Sequence, residues 1–131
     1  MKIKFEISTI FNVSAKKIYE TWLSSKGHTE MTGGDAEITD KADTDFEAWD
    51  GYITGRNITL EPYKKIVQTW RTSEFSDDEE DSVIEIKLEE QKRGTTLTLI
   101  HTNLPPHGKQ YKQGWIDNYF IPMKNYFESL K

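Results

Sequence analysis

His101 and Gln68 are the residues whose type and phase point to chemistry inside an apolar interior. On the stretch Thr95 to Thr102, His101 falls in step with Leu97 and Leu99, and the period of two in a strand puts its imidazole on the apolar face. An inward imidazole can shuttle a proton, anchor a ligand, or sit hydrogen-bonded in a core. Gln68 shares a face with Ile66 and Trp70 by the same argument. A buried amide without a partner costs on the order of 1–3 kcal/mol, so it needs one. Together the two side chains could supply the few convergent polar groups that an otherwise apolar pocket requires. The apolar groups expected around them are Trp22, Phe46, Trp70, Ile86, Leu99, Trp115, Tyr119 and Met123, with Trp49 out of phase with Phe46 and therefore at the rim. The same residues could equally form a dry core.

Other chemistries fail on spacing. His28 and His107 have no partner at i+4, so three dispersed histidines make a poor zinc site, and no metal or other cofactor is expected. No serine stands in a Gly-x-Ser-x-Gly elbow. Glu85 and Glu89 flank Lys87 on one strand face, the pattern of a solvated strand rather than an acid–base pair. The glycines form no phosphate-cradling loop between a strand and a helix. An enzyme is thus the third expectation, resting on His101 alone.

The elements that position these residues are legible from periodicity. Lys2 to Ile10 alternates as a half-buried strand. Ser14 caps a helix whose Ala15, Ile18, Tyr19, Trp22 and Leu23 share a face, and Ser25 to Thr32 forms a second short helix that Gly27 weakens. Short strands follow at Ala36 to Thr39 and Phe46 to Trp49, a hairpin turn at Asp50-Gly51, and longer strands at Tyr52 to Leu60, Lys65 to Thr72, Ser82 to Glu90 and Thr95 to Thr102. Gly55 is expected to mark a bulge. From Gly114 to Lys131, Trp115, Tyr119, Met123, Tyr126, Phe127 and Leu130 recur at helical spacing, with a kink expected at Pro122. The pattern predicts an α+β fold in which a curved antiparallel sheet of six or seven strands wraps a long terminal helix, as one domain over residues 1–131.

Composition narrows the function classes. The chain has 131 residues, no cysteine and a net charge of −5, with acids crowded into Asp77-Asp78-Glu79-Glu80-Asp81, which reads as a solvated loop. Such a surface repels phosphate backbones, so nucleic acid is not an expected partner. No segment has the length of a membrane span and the N-terminus has no apolar h-region, so the cytoplasm is the default location.

Five stretches, in order, carry a family resemblance: His28 to Gly34 (HTEMTGG), Trp49 to Gly55 (WDGYITG), Ile66 to Arg71 (IVQTWR), Thr96 to Pro105 (TLTLIHTNLP) and Gly114 to Phe127. They resemble the C-terminal domain of the activator of the ninety-kilodalton heat-shock chaperone's ATPase, within the helix-grip superfamily of START and birch-pollen-allergen-like proteins. The resemblance implies a sheet gripping the terminal helix, with a cavity able to open between them. In the eukaryotic co-chaperone another domain precedes this one, whereas here the first strand begins within a few residues of Met1. A second departure is Ala42-Asp43-Thr44-Asp45, where relatives often carry a glycine pair, implying a more polar turn at the cavity rim. The first expectation is therefore a non-catalytic protein that binds a hydrophobic small molecule, and the second a co-chaperone that stimulates a heat-shock chaperone. Aromatic groups at the cavity mouth would suit either a monomer or a weak homodimer.

Overall fold

The computed structural model describes residues 2–130. Six strands form one antiparallel sheet: β1 (Ile3–Phe11), β2 (Asp45–Ala48), β3 (Ile53–Glu61), β4 (Lys65–Thr72), β5 (Ser82–Gln91) and β6 (Gly94–Leu104), in the order β1-β6-β5-β4-β3-β2. Helices α1 (Ala15–Trp22) and α2 (Ser25–Thr32) follow β1. The chain then closes with a continuous helical run: a 3-10 turn at Pro106–Lys109, α3 (Gln110–Trp115), a π-helical turn at Ile116–Phe120 and α4 (Ile121–Ser129). The sheet curves around this terminal helix, and the architecture is the expected α+β helix grip.

The local reasons are visible at each end. Ser14 caps α1, its Oγ accepting from Lys17 N–H at 3.1 Å, and Ser24 caps α2 by accepting from Gly27 N–H at 3.1 Å. Gly27 lets α2 turn tightly behind α1, because a Cβ there would lie 2.8 Å from the Thr21 carbonyl oxygen. Gly33, in the left-handed region at φ 88°, ends α2. Ile66, Ile84, Ile86, Leu97 and Leu99 are fully buried, and Phe11 meets Phe120 and Phe127 edge-on. The inner face of β4, β5 and β6 thus packs on the helix through close-fitting aliphatic groups.

Several expectations are corrected. Ala36 to Thr39 is not a strand; only a single bridge joins Glu37 to Glu47. Hydroxyls of α2 take the place of a strand partner: Ser25 Oγ accepts from Ile38 N–H at 2.9 Å and donates to the Ile38 carbonyl at 3.1 Å, and Thr29 Oγ1 accepts from Ala36 N–H at 3.0 Å. The bulge lies not at Gly55 but between Asn57 and Thr59, where the register with β4 shifts by one. Gly55 instead allows close approach, since a Cβ there would sit 2.0 Å from the Thr69 carbonyl oxygen and 2.6 Å from the Phe46 ring.

The terminal helix starts at Pro106 rather than Gly114. Its first turn uses a proline whose missing N–H has no intrahelical role there. Pro122 does not break the run: the wider π turn at Ile116–Phe120 resets the backbone pairing just before it, so the proline falls in the first turn of α4. The buried face ends at Phe127, because Leu130 is 48 % exposed and Tyr126 is half-buried, its hydroxyl donating to Glu30 Oε1 at 3.1 Å. Lys131 lies outside the described residues.

The acidic run is anchored as well as solvated. Asp77, Asp78 and Glu80 face solvent, but Phe75 is buried under the loop against Trp70 and Tyr111. Arg71 donates to the carbonyls of Ser76 and Glu79 and to the Asp81 carboxylate. The hydrogen bond from His107, 3.0 Å long, holds the Glu79 carboxyl below its usual pKa.

Candidate ligand cavity

A cavity of about 370 Å³ opens between the β2–β3 turn, β4 and the first half of the terminal helix. The sheet side contributes Trp49, Tyr52, Ile53 and Trp70, and the helix side Gln110, Tyr111, Gly114, Trp115, Asn118 and Tyr119. On the helix these are two adjacent rows at steps of four, a single face looking at the sheet. Gly34 seats the wall from behind, since a Cβ there would fall 2.4 Å from the Trp49 ring. The aromatic rings make one continuous surface: Trp115 lies 4.7 Å from Tyr119, 5.5 Å from Trp70 and 6.2 Å from Trp22 between centroids, the last pair stacked.

Of the residues expected around a ligand, Trp70, Trp115 and Tyr119 line this cavity. Trp22, Gln68, His101, Ile86, Leu99 and Met123 lie outside it, buried in the core behind or below the aromatic wall. Phe46 is also buried, its ring under Gly55 on a different, shallow surface. The Ala42 to Asp45 turn is likewise away from the rim. It is tied to β3, with Asp43 N–H donating to the Asn57 carbonyl and Asn57 N–H to the Thr44 carbonyl, both at 2.9 Å.

The two polar groups singled out by phase are satisfied within the protein. Trp115 Nε1–H donates to His101 Nδ1 at 3.0 Å, which fixes the proton of the neutral ring on Nε2. That Nε2–H donates to Ser82 Oγ at 2.8 Å, and the serine hydroxyl donates onward to the Trp70 carbonyl at 2.5 Å. Burial pushes the His101 pKa down to about 3. With both nitrogens engaged, His101 positions Trp115 rather than meeting a ligand. Gln68 Oε1 accepts from Trp22 Nε1–H at 3.4 Å and its amide donates to Asn57 Oδ1 at 2.8 Å. Asn57 in turn donates to the Thr39 and Lys41 carbonyls.

His28 is a second buried histidine that touches the cavity wall, through Tyr119. Its Nδ1–H donates to the Trp22 carbonyl at 2.9 Å, leaving Nε2 to accept from the Tyr119 hydroxyl at 2.8 Å. Burial lowers its pKa to about 4 against the opposing bond to Trp22. Burial raises the Tyr119 hydroxyl, and the nearby Trp49 indole opposes that rise, although Trp49 Nε1 makes no hydrogen bond of good geometry. The signal for His28 was its i+3 and i+4 spacing with Met31 and Thr32, the buried face of α2. The signal for Gln110 and Tyr111 was their phase with Gly114 and Trp115, which emerges only when the helix is started before Gly114; Gly114 and Asn118 fall inside the expected helix, one row beside its aromatic stripe.

At the mouth, Tyr52 donates to the Glu74 carboxylate, and the Tyr111 and Thr72 hydroxyls pair at 2.6 Å. Among the described residues no lysine, arginine, histidine, aspartate or glutamate lines the cavity itself. Among the described residues no cluster of three or more metal-binding side chains occurs, and no helix is long and apolar enough to cross a membrane.

A family model described as "Activator of Hsp90 ATPase homolog 1-like protein" matches residues 12–128. Among curated proteins, one from Schizosaccharomyces pombe described only as uncharacterized is 28% identical over 118 residues, covering 89% of this chain and 35% of the relative. The Activator of 90 kDa heat shock protein ATPase homolog of Dictyostelium discoideum is 27% identical over 128 residues, covering 97% of this chain and 32% of the relative. The chain thus spans about a third of the length of these relatives. Among solved structures, an HSP90 activator from Plasmodium falciparum superposes with a TM-score of 0.85 at 21% identity, over 93% of this chain and 94% of that one. At that identity the likeness establishes the fold.

Proposed function

The chain belongs to the Activator of Hsp90 ATPase homolog 1-like protein family, and from that premise we propose that it is a non-catalytic binding protein holding a hydrophobic small molecule between sheet and terminal helix. The observation that carries this reading is the cavity of about 370 Å³ walled by six aromatic side chains and Ile53, with no charged side chain in its lining among the described residues. A ligand there would gain roughly 25 cal/mol for each Å² of apolar surface removed from water, with Gln110 and Asn118 at the rim to orient any polar end. The wall is set before binding, because Trp115 and Tyr119 are each held by a buried histidine.

Gly114 supplies a test that spares the fold. It lines the cavity, and a Cβ added there would meet nothing closer than 3.9 Å. Gly114→Phe is expected to fill the mouth and to weaken uptake of the neutral fluorescent probe diphenylhexatriene at least about tenfold. Stability should hold or rise, since a helical glycine costs about 1 kcal/mol relative to alanine. Equal affinity in both proteins would place the probe elsewhere and end the reading.

A second reading, as a chaperone cofactor, is favoured by the name of the Dictyostelium relative and by the family itself. Adding the chain to the ninety-kilodalton chaperone and measuring ATP turnover decides it, stimulation supporting the role and unchanged turnover removing it.

A further inference from the structure

We propose that the ligand of this cavity is an organic cation, a substituted ammonium on an apolar body, with the Glu74 carboxylate at the mouth as its counter-charge. The inference rests on reading the cavity as a ligand site and adds the sign of the ligand's charge. The first observation is how the fold distributes its apolar groups. Ile84, Ile86, Leu97 and Leu99 are spent on the close-packed part of the grip, whereas the open part is walled by Trp49, Trp70, Trp115, Tyr52, Tyr111 and Tyr119. A neutral hydrophobe gains as much from aliphatic walls as from aromatic ones. Indole and phenol faces carry negative potential and discriminate in favour of a cation.

The second observation is the placement of charge. With no cationic side chain in the lining among the described residues, a carboxylate or phosphate entering the cavity would lose its water without gaining a partner there. Glu74 follows β4 at the mouth, takes the Tyr52 hydroxyl bond, and has its own N–H bound to Thr72 Oγ1 at 3.1 Å. It makes no ion pair among the described residues, so its charge is not neutralised within the protein. Its field reaches both phenols of the mouth, raising the pKa of Tyr52 and Tyr111 alongside the larger effect of burial. The net charge of −5 adds a long-range field of the same sign.

Diphenylhexatriene, its trimethylammonium derivative and its propionate derivative share one apolar body and differ in charge, so titrating all three by fluorescence reads the preference directly. The cation is expected to bind about tenfold tighter than the neutral probe, and the anion weakest of the three. Glu74→Gln, at an exposed position, should cut the cation's advantage over the neutral probe about fivefold. Equal binding of all three would overturn the charge selection while leaving the cavity as a binding site. Tighter binding of the anion, or a cation preference untouched by Glu74→Gln, would also overturn it. Failure of all three to bind would overturn the ligand site together with the inference.

Discussion

Lowering the pH from 7.5 to 5 is expected to cost this protein about 4 kcal/mol of folding stability, about 2 kcal/mol from each of two buried histidines. In the unfolded chain an imidazole titrates near 6.5, whereas in the fold His28 is held down to about 4 and His101 to about 3, in both cases chiefly by burial. Above pH 6.5 both rings are neutral in both states and stability is complete. Below it the unfolded chain takes up two protons that the folded chain refuses. Stability therefore falls steadily with pH until the folded rings protonate near 4 and 3. Urea denaturation at several pH values would record the slope. In His101→Gln the loss between pH 7.5 and 5 should shrink to about 2 kcal/mol, although the variant starts lower at neutral pH because Trp115 and Ser82 lose their partner. A wild-type stability that is flat across this range would refute the neutral, hydrogen-bonded placement of both rings.

Trp115→Ala is expected to destabilise the fold by about 3–5 kcal/mol, toward the upper end of that range. The indole is 3 % exposed and lies against Trp22, Trp70 and Tyr119, so its removal leaves a void that three large rings cannot close without leaving their rotamers. The substitution also strips the donor from His101 Nδ1, stranding a buried acceptor. Trp115→Phe, which keeps most of the volume and loses only the N–H, should cost clearly less. A loss below about 1 kcal/mol for Trp115→Ala would contradict the position of the indole at the centre of the aromatic wall.

Much of the fold could be read from the chain because its periodicities are local. Alternation in β4, β5 and β6, the Ser14 cap of α1, and the aromatic stripe at the end each follow from neighbours a few residues away. What escaped depended on distant partners. Ala36 to Thr39 has the composition of a strand, but hydroxyls from α2 satisfy its backbone. Gly55 reads as a bulge until the Thr69 carbonyl appears opposite it.

The site was less legible than the fold for the same reason. His101 and Gln68 were placed inward correctly by phase, yet whether an inward polar group meets a ligand or another side chain depends on residues far along the chain, here Trp115, Ser82, Trp22 and Asn57. On the helix side, Gln110 and Tyr111 escaped because Gly108 and Gly114 weaken the helical pattern ahead of Trp115, whereas Gly114 and Asn118 fall inside the expected helix but beside its aromatic stripe. Both glycines are tolerated because tertiary packing, rather than propensity, holds that segment helical.

The central claim is that the space beside Trp115 and Tyr119 is occupied by a small molecule in the cell. Native mass spectrometry of the protein purified from cells, run beside Gly114→Phe prepared in parallel, addresses it most directly. The account predicts an added mass on the wild-type chain that disappears after denaturation and refolding and is missing from Gly114→Phe. A wild-type chain at its bare mass, or the same added mass on both proteins, would contradict it.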